Sequence, residues 1–81
     1  MTKEHVLEQI TLIFRSELED ESIQLEFDTT ADDVEGWDSI THVQLIVAIE
    51  RKYGIRFTSK EIQGFKNVGE LCEAIIAKKG N

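Results

Sequence analysis

Proline is missing from this chain, and cysteine occurs once, at Cys72. A single cysteine excludes an internal disulfide and any zinc site built on cysteines, and it fits a reducing, cytoplasmic compartment. No apolar run approaches the length that spans a bilayer. The stretch Met1-Thr2-Lys3-Glu4-His5 lacks the apolar core of a secretory signal, so neither a membrane nor export is expected. Cations are scarce: nine Lys and Arg stand against 16 Asp and Glu, for a formal net charge of −7. Recognition of phosphate backbones needs clustered Lys and Arg, which excludes nucleic acid as a partner. Acidic surface instead attracts partners with basic patches at long range. Low-complexity tracts and internal repeats are absent too. The 81 residues leave room for one domain, 1–81. Its core is small, and helices packed through local contacts are the easiest way to build it.

What is present is helical periodicity. Val6, Leu7, Ile10, Ile13, Phe14 and Leu18 recur at helical spacing, which predicts a first helix from Thr2 or Lys3 to about Leu18. Glu19 to Asp38 reads as a long connection. Its Ile23, Leu25, Phe27 and Val34 fit neither helical nor strand period and are expected to pin it to the helices, since a connection this long is usually functional. The second helix runs from Ser39 to about Tyr53, with Arg51 and Lys52 in its last turn and Gly54 as the stop. Ile55-Arg56-Phe57 alternates and suits an extended segment. Thr58-x-x-Glu61 is a capping box opening a short third helix that ends near Gly64. Asn67 caps a fourth, with Val68, Leu71, Cys72, Ile75 and Ile76 on its apolar side and Gly80 at its end. The fold class is therefore all-α: a small four-helix bundle with a short third helix and a long loop between the first two.

The densest information lies in Gly36-Trp37-Asp38-Ser39-Ile40. From Glu17 to Asp38 there are ten carboxylates and no Lys or Arg, whereas Ile40 to Ile49 holds seven apolar residues in ten. Asp38 or Ser39 suits the N-cap of the second helix, because a short side-chain oxygen can take an unpaired first-turn amide. A serine at that junction is exposed, fixed in direction and next to apolar surface, as an attachment point requires. The second helix also carries more apolar surface than one buried face uses. Ile40, Val43 and Val47, spaced by three and four, are expected to face solvent beside Ser39 as a binding stripe, unless this helix is simply the central one.

Ser39 and His42 lie three apart and could touch as a nucleophile–base pair. However, no Gly-x-Ser-x-Gly elbow is present, and an oxyanion hole with a substrate pocket is hard to build here, so no catalytic residue is assigned. Asp28 to Asp33 fails the EF-hand pattern, with Asp33 in the glycine position and Ser39 in that of the bidentate Glu, so no metal is assigned. Trp37 is expected to pin the loop by packing. Cys72, Phe14, Phe27, Phe57 and Phe65 are core candidates. His42 reads as a surface or loop-packing residue and His5 as exposed.

Gly-x-Asp-Ser-Ile at the start of an apolar helix resembles the acyl carrier proteins. So do the acidic loop before it, the downstream Glu50-Arg51-Lys52-Tyr53-Gly54-Ile55 and the order of helices, and the resemblance covers nearly the whole chain. It implies a carrier, not an enzyme. A 4′-phosphopantetheine arm, donated from coenzyme A by a phosphopantetheinyl transferase, would be esterified to Ser39 and hold acyl groups as thioesters. The phosphodiester would sit at a helix N-terminus, where amides and dipole favour an anion. Asp38 matches the family's acid before the serine, Gly36 its turn glycine and Ile40 its usual Leu. By the same resemblance Ile40, Val43, Gln44 and Val47 face partner enzymes that load, condense or transfer acyl groups. Asp32, Asp33 and Glu35 steer their basic patches, and the core between helices two and four receives the acyl chain. A monomer is expected. Gln44 stands where fatty-acid-synthesis carriers have Glu, and Arg51 lies in a usually acidic stretch. These departures argue against a housekeeping role in fatty-acid synthesis, and Trp37-Asp38-Ser39-Ile40-Thr41-His42-Val43 resembles discrete carriers of specialised pathways, polyketide-type, surface-polysaccharide or aminoacyl-transferring. A peptidyl carrier ranks lower because Trp37 replaces that group's second glycine. The alternative from another class is an unmodified acidic helical adaptor, which modification of Ser39 would distinguish.

Overall fold

The computed structural model describes residues 1–80, in which four α-helices and one 3-10 turn follow in the order α1 (Lys3–Glu17), η1 (Ala31–Asp33), α2 (Ser39–Tyr53), α3 (Ser59–Gly64) and α4 (Val68–Lys79). No strand occurs among the described residues. Each boundary has a local cause. Thr2 accepts the His5 amide at 3.1 Å to open α1. Thr58 and Glu61 form the reciprocal capping box of α3, and Asn67 accepts the Glu70 amide at 2.9 Å to open α4. Gly54 and Gly80 end α2 and α4 in the left-handed conformation. The first helix ends in the same way without a glycine. Glu19 adopts φ 53°, and Asp20 N–H reaches back to the Arg15 carbonyl at 3.0 Å, closing a Schellman-type turn.

The central helix is α1, which packs against both α4 and α2. Its Val6, Ile10 and Phe14 are fully buried. They meet Leu45, Ile46 and Ile49 of α2, and Val68, Leu71, Cys72 and Ile75 of α4, in one hydrophobic cluster. The surplus apolar surface of α2 is therefore not explained by a central position for that helix.

The long connection is held down at several points. Ile23, Leu25, Val34 and Trp37 are buried, and Phe27 is half-buried against the same cluster. Arg15 Nε donates to the Ile23 carbonyl at 2.8 Å, tying the loop to α1. Farther on, the Phe27 and Thr29 carbonyls accept the Gly69 and Val68 amides at 2.7 and 2.9 Å. The loop thus satisfies two amides of the first turn of α4 that helix geometry leaves unpaired. Sequence periodicity missed η1. Its signal was Thr30-x-x-Asp33, a capping box with Asp in place of Glu, in which the Asp33 carboxylate accepts the Thr30 amide at 2.9 Å.

Candidate functional site

The junction before α2 is built from three short side chains and one turn. Gly36 takes φ +90°, a conformation that a Cβ would strain, and this turns the chain into the helix. Asp38, not Ser39, is the N-cap: its Oδ1 accepts the Ile40 and Thr41 amides, each at 2.9 Å. Thr41 answers from within the helix. Its hydroxyl accepts the Asp38 amide at 2.8 Å and donates to the Gly36 carbonyl at 2.6 Å. The Thr41 amide, then the Ile40 amide, hold the Asp38 carboxyl below the usual carboxylate range. Thr41 went unnoticed in the sequence, although Asp38-x-x-Thr41 is the same reciprocal pattern as Thr58-x-x-Glu61.

Ser39 follows as the first residue of α2 and is exposed. Among the described residues its hydroxyl is in no hydrogen bond, so nothing has to be broken before Oγ can be esterified. The Ile40 and Thr41 amides are already taken by Asp38, so of the helix's means of favouring an anion beside Ser39 the dipole remains, without those two N–H groups.

Behind the serine, His42 bridges the junction to its neighbours. Trp37 Nε1 donates to His42 Nδ1 at 2.9 Å, and His42 Nε2 lies 2.8 Å from the Ile62 carbonyl. Indole N–H is only a donor and a carbonyl only an acceptor. Nδ1 must therefore be the bare nitrogen and Nε2 the protonated one. The ring links the loop, α2 and α3. Trp37 itself is buried, edge-on to Phe14 with ring centroids 4.9 Å apart. Both imidazole nitrogens are thus committed away from Ser39, and the nucleophile–base pair considered from the sequence is not formed. His5 is exposed.

Beyond Ser39, α2 presents Ile40, Val43 and Val47 to solvent at 76%, 51% and 38% exposure. These exposures leave the three side chains available for contact with another molecule. Gln44 is exposed beside them. A recess of about 300 Å³ runs along this stripe. Asp32, Asp33 and Glu35 are exposed on the loop side of the serine, although the Asp33 carboxylate is engaged by Thr30. No group of three or more His, Cys, Asp or Glu that could hold a metal occurs among the described residues. No described helix is long and apolar enough to cross a membrane.

Comparison with known proteins places this geometry. The family model described as the phosphopantetheine attachment site matches residues 8–75. The chain is 30% identical over 80 residues to an acyl carrier protein of Prochlorococcus marinus (strain MIT 9515), covering 99% of this chain and 100% of the relative. It is 33% identical over 81 residues to one of Tropheryma whipplei (strain Twist), covering 98% and 96%. The solution structure of a holo acyl carrier protein from Geobacter metallireducens superposes with a TM-score of 0.83 at 42% identity, over 90% of this chain and 84% of that one. The chain therefore belongs to the acyl carrier protein family, whose members carry a phosphopantetheine prosthetic group and are not enzymes.

Proposed function

We propose that this chain acts as one carrier domain, a cytoplasmic monomer, and that Ser39 is the attachment point of its 4′-phosphopantetheine arm. The thiol at the end of the arm supplies the chemistry, holding an acyl group as a thioester. The residues of this chain position it. Gly36 makes the turn, Asp38 caps the helix and leaves Ser39 at its first position, and the clamp of Trp37 on His42 keeps the junction still. The observation that carries this reading is the exposed, unbonded Ser39 hydroxyl at the head of α2, within the stretch that matches the attachment-site family. Tethering raises the local concentration of the cargo and presents one handle to successive enzymes.

Ile40, Val43, Gln44 and Val47 form the docking face of this reading, with Asp32, Asp33 and Glu35 as the acidic flank. The partners are a phosphopantetheinyl transferase and the enzymes that load, condense or transfer acyl groups in fatty-acid, polyketide or related biosynthesis. Gln44 and Arg51, both exposed on α2, favour a specialised pathway over housekeeping fatty-acid synthesis.

The deciding experiment is intact mass after incubation with coenzyme A and a broad-specificity phosphopantetheinyl transferase. The wild type should gain one phosphopantetheine. Ser39→Ala should keep its helical circular dichroism and gain none. Addition to the Ser39→Ala variant would place the arm elsewhere. A folded wild type that stays unloaded, even with the transferase of its own source, would favour the adaptor.

A further inference from the structure

The stripe Ile40, Val43, Val47 does not end in a carboxylate. One turn beyond Val47 the same face presents Arg51, which lines the recess of about 300 Å³ together with the three apolar residues. A second recess, of about 490 Å³, continues from Val47 and Arg51 to Arg56 beyond the end of the helix. Arg51 and Arg56 are exposed, and among the described residues neither is in an ion pair or a side-chain hydrogen bond. Glu50, the one carboxylate of α2, is half-buried and accepts the Phe57 amide at 2.7 Å, so its charge is directed at the backbone of the following segment. Glu17 borders the first recess from α1 without pairing with Arg51.

The opposite end of the face has the other sign, with Asp32, Glu35 and Asp38 exposed in the segment that leads into Ser39. The twelve residue-to-residue rises from Ser39 to Arg51 span about 18 Å. That is about twice the screening length in physiological salt, so the acidic end does not neutralise the basic one. A partner lined throughout by Lys and Arg would gain at the Ser39 end and set like charges against Arg51 and Arg56. Such juxtaposition is how interfaces reject wrong partners.

Resting on the carrier reading, we infer that the docking face is electrically two-ended: it takes an enzyme surface with an apolar centre, basic residues toward Ser39 and acidic residues toward Arg51 and Arg56. Arg51 and Arg56 then determine which enzymes this carrier serves.

The probe is a condensing enzyme whose carrier-docking rim is lined by Lys and Arg throughout, titrated with the unmodified chain so that docking is read independently of loading. Wild type should bind weakly. The Arg51→Glu/Arg56→Glu variant should bind at least about tenfold tighter in 50 mM salt, with the gain shrinking at 300 mM. Arg51→Ala, which removes one charge and adds none, should show a smaller gain in the same direction. Replacing the enzyme's rim lysine nearest Arg51 with Glu should improve wild-type binding and worsen that of the double variant. Equal affinity for wild type and both carrier variants, or tighter binding by wild type, would overturn the inference. Failure of the wild type to accept the arm would instead overturn the carrier reading, so the two are separable.

Discussion

His42 acts through hydrogen bonds that its neighbours dictate. With Nδ1 accepting from Trp37 and Nε2–H donating to Ile62, one ring joins three segments that share no helix. His42→Ala removes both bonds and leaves the indole N–H of a buried tryptophan unpartnered. A loss of about 1–3 kcal/mol in urea unfolding is expected. Trp37 fluorescence should change, and amide exchange should quicken in α3, which buries no residue fully and depends on this link. Unchanged exchange in α3 would show that the link does not hold it. Gly69 is a second residue with a tertiary task. A Cβ there would stand 2.8 Å from the Phe27 carbonyl oxygen, the same atom that accepts the Gly69 amide at 2.7 Å. Alanine improves helix propensity by at most about 1 kcal/mol. Overpacking against backbone costs about 1–3 kcal/mol, and relieving it pulls that hydrogen bond apart. Gly69→Ala should therefore lower the unfolding midpoint.

At the scale of the helix, two depressed carboxylates belong to N-terminal caps. The Asp38 carboxyl is held low by the Thr41 and Ile40 amides, and the Glu61 carboxyl by the Thr58 amide and by Lys78. A carboxylate whose value is depressed on folding stabilises the fold above its unfolded value, and that contribution is lost as pH falls through the folded one. The contribution of these two carboxylates to the unfolding midpoint should thus be constant down to about pH 4.5, the upper edge of the ordinary carboxylate range, and decline below it. Asp38→Asn still caps but does not titrate there, so its decline should be shallower than that of the wild type. Equal acid sensitivity would mean that the α2 cap contributes nothing to it.

For the molecule as a whole, Cys72 reports on the core. The thiol is fully buried among residues from α1, α2 and α4, and burial pushes it up to about 11. At pH 8 it is neutral and inaccessible, so labelling requires the bundle to open. The unmodified native protein should react negligibly with a thiol reagent, and one thiol should appear in denaturant. After loading, one fast native thiol should appear, that of the arm. Rapid native labelling of the unmodified protein would contradict the packing of α4.

The sequence alone determined the helices, because their signals are local. Apolar residues recur every three or four positions along α1, Thr58-x-x-Glu61 and Asn67 open α3 and α4, and Gly54 and Gly80 close α2 and α4. It also singled out Ser39 as an exposed serine at an acidic-to-apolar junction, and the stripe Ile40, Val43, Val47, from spacing alone. Only the tertiary structure decided that α1 rather than α2 is the central helix, since periodicity gives a helix a buried side but not its neighbours. It also decided that loop carbonyls cap α4, that Glu19 closes α1 without a glycine, and that His42 belongs to Trp37 and Ile62 rather than to Ser39. The contacts of Gly69 with Phe27 and of His42 with Ile62 join residues 42 and 20 positions apart, and Glu19's turn depends on backbone dihedrals. None of these leaves a periodic trace in the order of the amino acids.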